Sequence, residues 1–328
     1  MITLLPKNKK QIHHRRLLSA FLFLIAGMVL PATLLAQPTA GGEPSVLIPS
    51  QGRFWVNAQW SPDGQTLAYS AENFNGIWLA NADGTQPRQL TDDMAAGFGF
   101  TWSPDSRFIL ARPSVMENRR RFQQVKLYDV QTLAAETLLA PTRSLHGLPS
   151  FTPDGSQVAM VVDRKLEIKS SARLSQSPNA NPAVVYAIDG RLINANLITR
   201  SDAEITAFDG RFIFNVRISP DRQRVVFQVQ GKGLYVLNTD GSGLTHLGHG
   251  EYASWMPDNR HVVVSVVEDN GQQITGGDLY AVDVTTGQSY LLTGHTSLTA
   301  LKPAVSPCGA WVVFDNPDDG NLYIMALQ

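Results

Sequence analysis

The chain has 328 residues, 43% of them hydrophobic and 17% charged, with 27 Lys and Arg against 28 Asp and Glu. Five basic residues (Lys7, Lys9, Lys10, Arg15 and Arg16) precede the first acid, Glu43; the remainder carries 22 basic against 28 acidic residues, a net of about −6, which argues against a nucleic-acid binder. The one cysteine, Cys308, excludes an internal disulfide framework, so the fold must be held by burial and by closure of its own sheets.

In chain order, the basic flank is followed by an uncharged run from Leu17 to Ala36. A signal-peptide core takes about 7–15 apolar residues and a spanning helix about 20. The 14 residues of 17–30, before Pro31, suit the first, and the 20 of 17–36 suit the second. Cleavage is the preferred reading. In either case residues 1–36 are a targeting segment or membrane anchor, the basic flank stays in the cytoplasm and the rest is exported, to the periplasm or the cell exterior. Residues 37–44 read as a short Pro- and Gly-rich linker, and 45–328 as one folded domain.

That domain is built on a recurring turn. Trp60-Ser61-Pro62-Asp63-Gly64 has near copies at Pro104-Asp105, Pro153-Asp154, Pro220-Asp221, Pro257-Asp258 and Pro307-Cys308, six in all. Proline fixes φ and lacks an N–H, which ends a strand; Asp bonds locally to the backbone; Gly or Asn accepts the left-handed conformation that closes the turn. Pro62, Asp63, Pro104, Asp105, Pro153, Asp154, Pro220, Asp221, Pro257, Asp258 and Pro307 are therefore structural turn residues. Each copy precedes an apolar strand (66–70, 108–111, 157–162, 224–229, 261–267, 310–315), and a third and usually a fourth strand follow. Several strands per unit at a period of about 40–50 residues predict a six-bladed, all-β propeller of four-stranded antiparallel blades.

Trp-Ser-Pro-Asp-Gly, a strand ending in Asn81-Ala82-Asp83-Gly84-Thr85, then Arg88-Gln89-Leu90-Thr91 resemble the TolB-type, WD40-like propeller repeat family. The resemblance covers residues 45–328. It implies a role near the cell envelope and its lipoprotein partners, and is TolB-like rather than TolB: the family's namesake carries an α/β domain before its propeller, where only the linker 37–44 stands here.

Gly52-Arg53-Phe54, Asn57 and Ser61-Pro62-Asp63 reappear as Gly210-Arg211-Phe212, Asn215 and Ser219-Pro220-Asp221, an offset of 158 residues. The six repeats thus read as two halves of three. By that register 45–49 matches the outer strand 204–208. The last repeat stops after its third strand, so the N-terminal strand is expected to complete the last blade and close the ring. Residues 170–203 break the pattern. They read as an insertion in blade three: a Ser-, Asn- and Pro-rich loop, then a hairpin (184–188, 192–198) turned by Asp189-Gly190.

In a propeller the Pro-Asp turns lie on one face and the loops entering each innermost strand on the other, around the channel mouth. The mouth is expected to bind a protein or peptide partner through Arg53, Trp55, Arg119, Arg120, Arg121, His146, Arg211, Glu251, Tyr252 and His295, with Phe54, Phe98, Phe100, Glu117 and Phe212 beside them. Chemistry-bearing motifs are thin. There is no nucleophile elbow, zinc-protease helix or phosphate-binding glycine loop. His246 and His249 with Glu251 fall on strand and loop, where their spacing does not converge, and no metal or other cofactor is expected. Asp92-Asp93 and Asp318-Asp319 show no partner in the sequence. The expectation is a monomeric, non-catalytic adaptor for an envelope protein or peptide. The alternative is a propeller enzyme acting on a carbohydrate or small ester at the same face.

Overall fold

A strand of a propeller blade is packed on both sides, so its sequence is apolar throughout instead of alternating. Leu67-Ala68-Tyr69-Ser70-Ala71, Phe108-Ile109-Leu110-Ala111 and Val262-Val263-Val264-Ser265 are such runs, and every residue in them is buried. The computed structural model describes residues 37–175 and 183–328. The targeting segment 1–36 and residues 176–182 of the loop expected before the hairpin lie outside the described residues.

The strands in chain order are as follows. β1 (Ser45–Ile48) stands alone at the start. Sheet one holds β2 (Trp55–Trp60), β3 (Thr66–Ala71), β4 (Ile77–Asn81) and β5 (Arg88–Thr91). Sheet two holds β6 (Thr101–Trp102), β7 (Phe108–Ala111), β8 (Ser114–Glu117), β9 (Arg120–Asp129) and β10 (Ala135–Thr142), with β8 paired only to the extended start of β9. Sheet three is β11 (Leu145–Phe151), β12 (Gln157–Val162) and β13 (Lys165–Ser170); sheet four is β14 (Ala183–Ile188), β15 (Arg191–Asn196) and β16 (Ser201–Ala207). Sheet five is β17 (Ile213–Ile218), β18 (Arg224–Val229), β19 (Gly233–Asn238) and β20 (Thr245–Gly248). Sheet six is β21 (Glu251–Trp255), β22 (His261–Asp269), β23 (Ile274–Asp283) and β24 (Ser289–Leu291). Sheet seven is β25 (Leu301–Val305), β26 (Trp311–Asp315) and β27 (Leu322–Ala326), completed by β1.

The ring therefore has seven blades of three to four paired strands, not the six four-stranded blades that the repeat count predicts. The inserted hairpin is the cause. β15 pairs with β16 along its whole length, from Arg191↔Ala207 to Asn196↔Ser201. The strand expected to finish blade three is thereby drawn into a sheet of its own, and blade three keeps three strands. Among the described residues sheet four also has no strand inside β14. The Ala183 carbonyl at the start of β14 accepts Nη2 of Arg222, in a Pro-Asp turn, at 3.1 Å. The far end of β14 turns at Asp189-Gly190 beneath Arg211 and Phe208, on the mouth face: the Phe208 N–H donates to the Gly190 carbonyl at 2.8 Å. β14 thus runs from the turn face to the mouth, as second strands do elsewhere.

Closure is made by the two chain ends. β1 pairs β27 (Ser45↔Ile324, Val46↔Tyr323). Residues read from sequence as linker continue that edge: the Gly41 N–H donates to the Ala326 carbonyl at 2.8 Å, and Thr39 and Gln328 exchange two backbone hydrogen bonds of 2.9 Å. The turns repeat the same bonding. Ser61 Oγ donates to Asp63 Oδ1 at 2.6 Å and accepts the Thr66 N–H at 2.9 Å; Ser103, Thr152 and Ser219 do the same in their turns. In the last turn Cys308 stands where Asp does elsewhere, its Sγ 3.3 Å from Ser306 Oγ.

Between blades the cores are aliphatic and aromatic: Ile77 and Leu79 against Phe100 and Trp102, Val226 and Val236 against Val262 and Val264, Leu279 and Ala281 against Phe314 and Met325. Each large side chain fully buried there contributes about 1.5–3 kcal/mol. Blades one and seven share Tyr69, Leu67, Val313 and Leu322. The third and fourth sheets are instead bridged by an ion pair between Arg164 and Asp189.

Candidate partner-binding mouth and central channel

The innermost strands share one irregularity that shapes the channel. Five residues before the turn proline, Asn57, Gly99, Asn215, Tyr252 and Lys302 have positive φ (56°, 68°, 50°, 53° and 47°); in blade three Gly147 (64°) stands six before it. The ladder shifts register at these places, as at Val56/Gln59, Phe214/Arg217, Glu251/Ser254 and Leu301/Ala304. Each is a bulge that bends the strand and re-aims the side chains around it. Glycine takes this conformation at no cost and Asn at little. Tyr252 and Lys302 carry strain of order 1–3 kcal/mol, which only over-determined surroundings hold.

Those surroundings are a cluster shared by blades one, six and seven. Lys302 Nζ lies 2.8 Å from Asp315 Oδ2, and the Asn57 N–H donates to Asp315 Oδ1 at 2.9 Å. Lys302 Nζ also stands 5.5 Å from the Tyr252 ring centroid. The Asp315 side chain is only 2% exposed. Burial pushes its carboxyl up to about 6, against the pull of Lys302 and the Asn57 N–H. Burial pulls the Lys302 ammonium down, Asp315 more than offsets it, and the net direction is up. In blade five Asn215 Nδ2 donates to Gln228 Oε1, a neutral counterpart of the same bulge-to-second-strand contact.

The residues expected at the mouth divide into two groups. Trp55 is core: it is 8% exposed, its Nε1–H donates to the Pro49 carbonyl at 2.9 Å, and it packs edge-on against Tyr69 and Trp78. Phe100 is buried in the interface of blades one and two. Arg53 lies over Trp55 and Trp78 at 5.9 and 5.4 Å, and Arg211 Nη1 donates to the Gln230 carbonyl at 3.4 Å, so both are tied to their own blades. His146 is half-buried in β11, and His295 lies 4.0 Å from Glu43. Glu251 and Arg119, Arg120 and Arg121 are exposed, and so are Phe54, Phe98, Phe212 (69%) and Phe214.

Arg112, which sequence reasoning passed over, joins this group. It follows β7 at the mouth, stacks over Phe98 at 5.3 Å and donates from Nη1 to the Gly147 carbonyl at 2.6 Å. Its Nε is buried with no acceptor. Burial lowers its pKa first, and the charge of Arg121 lowers it further. Arg121 Nε donates to Ser114 Oγ at 2.8 Å. Neither guanidinium meets a carboxylate among the described residues. Two like charges side by side at a mouth, without a counter-charge, form an anion-seeking surface.

Below the mouth the channel opens into a cavity of about 480 Å³, walled by the innermost strands of blades one, five, six and seven down to Pro62, Pro220, Pro257 and Pro307. Of the partner residues expected from sequence only Tyr252 lines it; Trp60, Trp255, Arg217 and Lys302 are the other large side chains there. A second, polar cavity of about 410 Å³ lies between sheets three and four, beside Arg164, Asp189 and Asp202.

The paired carboxylates do have partners. Asp93 accepts Lys126 Nζ at 2.9 Å and the Tyr128 hydroxyl at 2.5 Å; Asp318 accepts the Thr299 hydroxyl and Asp319 the Tyr323 hydroxyl, both at 2.7 Å. His246 lies 2.8 Å from the Lys232 carbonyl through Nε2 and packs on Tyr235.

No family model matches the chain, and no curated protein does. Solved structures do. The β-propeller domain of Myceliophteria thermophila Cps50 (Swd1) superposes with a TM-score of 0.62 at 12% identity, covering 87% of this chain and 99% of that one. Oligogalacturonate lyase in complex with manganese gives 0.56 at 14% identity, covering 88% and 94%. A putative TolB from Agrobacterium tumefaciens gives 0.52 at 14% identity, covering 84% and 90%. TolB from Acinetobacter baumannii also matches, at 18% identity and a TM-score of 0.48; this chain spans 64% of its length. These likenesses show a TolB-like, WD40-like propeller fold and nothing finer.

Proposed function

We propose that the protein is an exported, non-catalytic interaction module that binds an acidic protein or peptide of the cell envelope at its channel mouth. The observation that carries this reading is Arg112 and Arg121: neighbouring guanidiniums with no carboxylate partner among the described residues, Arg112 set on Phe98, and flanked by exposed Arg119 and Arg120. A carboxylate from a partner supplies the missing acceptors, each charge-assisted hydrogen bond contributing about 1.5–3 kcal/mol. The exposed Phe54, Phe212 and Phe214 provide the apolar contact that such interfaces centre on. The basic-then-apolar N-terminus supports export, and TolB among the fold neighbours supports an envelope setting.

Crosslinking in the source cells followed by capture of the tagged protein tests it. One enriched envelope protein, lost with Arg119→Ala, Arg120→Ala and Arg121→Ala combined and weakened by added salt, is expected. Enrichment unchanged by the triple variant places the interface elsewhere.

The second reading, a propeller enzyme acting on a carbohydrate, draws on the likeness to oligogalacturonate lyase. The ionisable side chains lining the described channel are Arg217, Tyr252 and Lys302, with no histidine or carboxylate for general acid–base work. Turnover of oligogalacturonate by the purified protein, with and without added manganese, separates the two readings.

A further inference from the structure

Among the described residues the central cavity carries two cations on its wall, Arg217 and Lys302, and no carboxylate. Lys302 is already paired with Asp315. Arg217 is not: its backbone carbonyl takes the Trp255 indole N–H at 2.9 Å, but its guanidinium has no ion-pair partner among the described residues. Desolvation pulls its pKa down. Arg217 is half-buried on the cavity wall, and a guanidinium partly drawn out of water without a counter-charge does not stabilise the fold.

The repeat does not require it either. Arg217 stands three residues before the turn proline, and the same place in the other repeats holds Gln59, Thr101, Ser150, Ser254 and Ala304, all uncharged. One blade of the ring therefore departs from neutrality at a channel-lining position. The guanidinium fork matches a carboxylate bidentately. Around it, Trp60, Trp255 and the turn prolines give an apolar wall, and about 480 Å³ is within the range of small-molecule sites.

We propose that the central channel is a binding site for a carboxylate borne on an apolar body, with Arg217 as its bidentate partner and Lys302 as the second cation. The carboxylate belongs either to a free organic acid or to an acidic side chain threaded into the channel. The site lies below the mouth and does not depend on the partner reading given above, so mouth variants leave it intact.

Calorimetry and the fluorescence of the lining tryptophans test it, with monocarboxylates from acetate through phenylacetate to indole-3-acetate, each beside its neutral amide. A short aromatic-flanked peptide with one Glu, and its Gln counterpart, complete the set. Wild-type protein is expected to bind at least one acid ~10-fold or more tightly than its amide, and Arg217→Gln to lose that difference while Arg217→Lys keeps part of it. Binding by the free acids alone assigns a small molecule, and binding by the Glu peptide alone assigns a side chain; either result supports the site. Equal binding of acid and amide by the wild-type protein, or no binding by any member, overturns it whatever the variants do.

Discussion

The Asn57 backbone N–H of blade one donates to Asp315 of blade seven at 2.9 Å, across a sequence separation of 258 residues, while the other Asp315 oxygen takes Lys302 at 2.8 Å. A single buried carboxylate thus ties the first blade to the last at the level of the channel bulges. Removing one partner of a buried pair leaves the other uncompensated, at a cost of about 3–5 kcal/mol. Asp315→Ala is expected to lower stability by about that much in chemical denaturation. A loss below ~1 kcal/mol would show that Lys302 simply turns into the channel water.

Two buried aspartates give opposite pH signs. Asp283 is pushed up by burial, but Arg260 and the N–H groups of Thr285 and Thr286 pull it further down, to about 2. Its folded value lies below the ordinary one, so the stability it confers is present above pH ~4 and is lost as pH falls towards 2, roughly 1–2 kcal/mol. Asp315 lies at about 6, above the ordinary value. Its protonated form is favoured by the fold, so its contribution worsens as pH rises from ~4 through 6, by roughly 2–3 kcal/mol. Denaturation curves from pH 3 to 8 are expected to lose their acid limb in Asp283→Asn and their slope between pH 4 and 6 in Asp315→Asn. The reverse assignment would contradict both.

The ring closes through β1 and not through a covalent link. Deleting residues 45–50 exposes the β27 edge and removes the seal between blades one and seven. The deletion is expected to abolish cooperative unfolding, read by calorimetry. A melting transition matching that of the intact domain would mean that the seal is dispensable. A subtler version is Gly84→Ala. Gly84 has φ +79° and a Cβ there would stand 2.3 Å from the Leu47 carbonyl, so it should destabilise by more than ~1 kcal/mol.

Sheet four was the part of the fold least legible in the sequence. The other six blades announce themselves by the Pro-Asp turn, or its Pro307-Cys308 variant, between their first and second strands. Among the described residues sheet four has no such turn and no strand before β14, and its Asp189-Gly190 turn sits on the opposite face. The hairpin itself is readable from Val184–Ile188 and Leu192 onward; its pairing with β16 is not, because the repeat register assigns 204–208 to the outer edge of blade three although only the short turn 197–200 separates β15 from β16. Deleting 183–200 is expected to unfold the ring, whereas a stable six-bladed ring after that deletion would make the hairpin a decoration.

The candidate sites were legible in part. Arg119, Arg120 and Arg121 stand out in the sequence as a charge run, and they do lie on an exposed hairpin. Trp55 reads from the sequence as an interface aromatic because it stands where the chain enters an innermost strand, among aromatics interleaved with arginines; only the fold shows its indole sealed beneath Arg53. Arg112 and Arg217 carry no local signature. Comparison among the repeats does single out Arg217, as the one charge at a neutral position.

Hydrogen exchange of the protein with its captured partner, read residue by residue, tests the central claim most directly. The account predicts new protection at the mouth, in 94–100, 112–122, 146–148 and 208–214, with the Pro-Asp turns unchanged. Protection confined to the turns around Pro62, Pro104, Pro220 and Pro257 would contradict it.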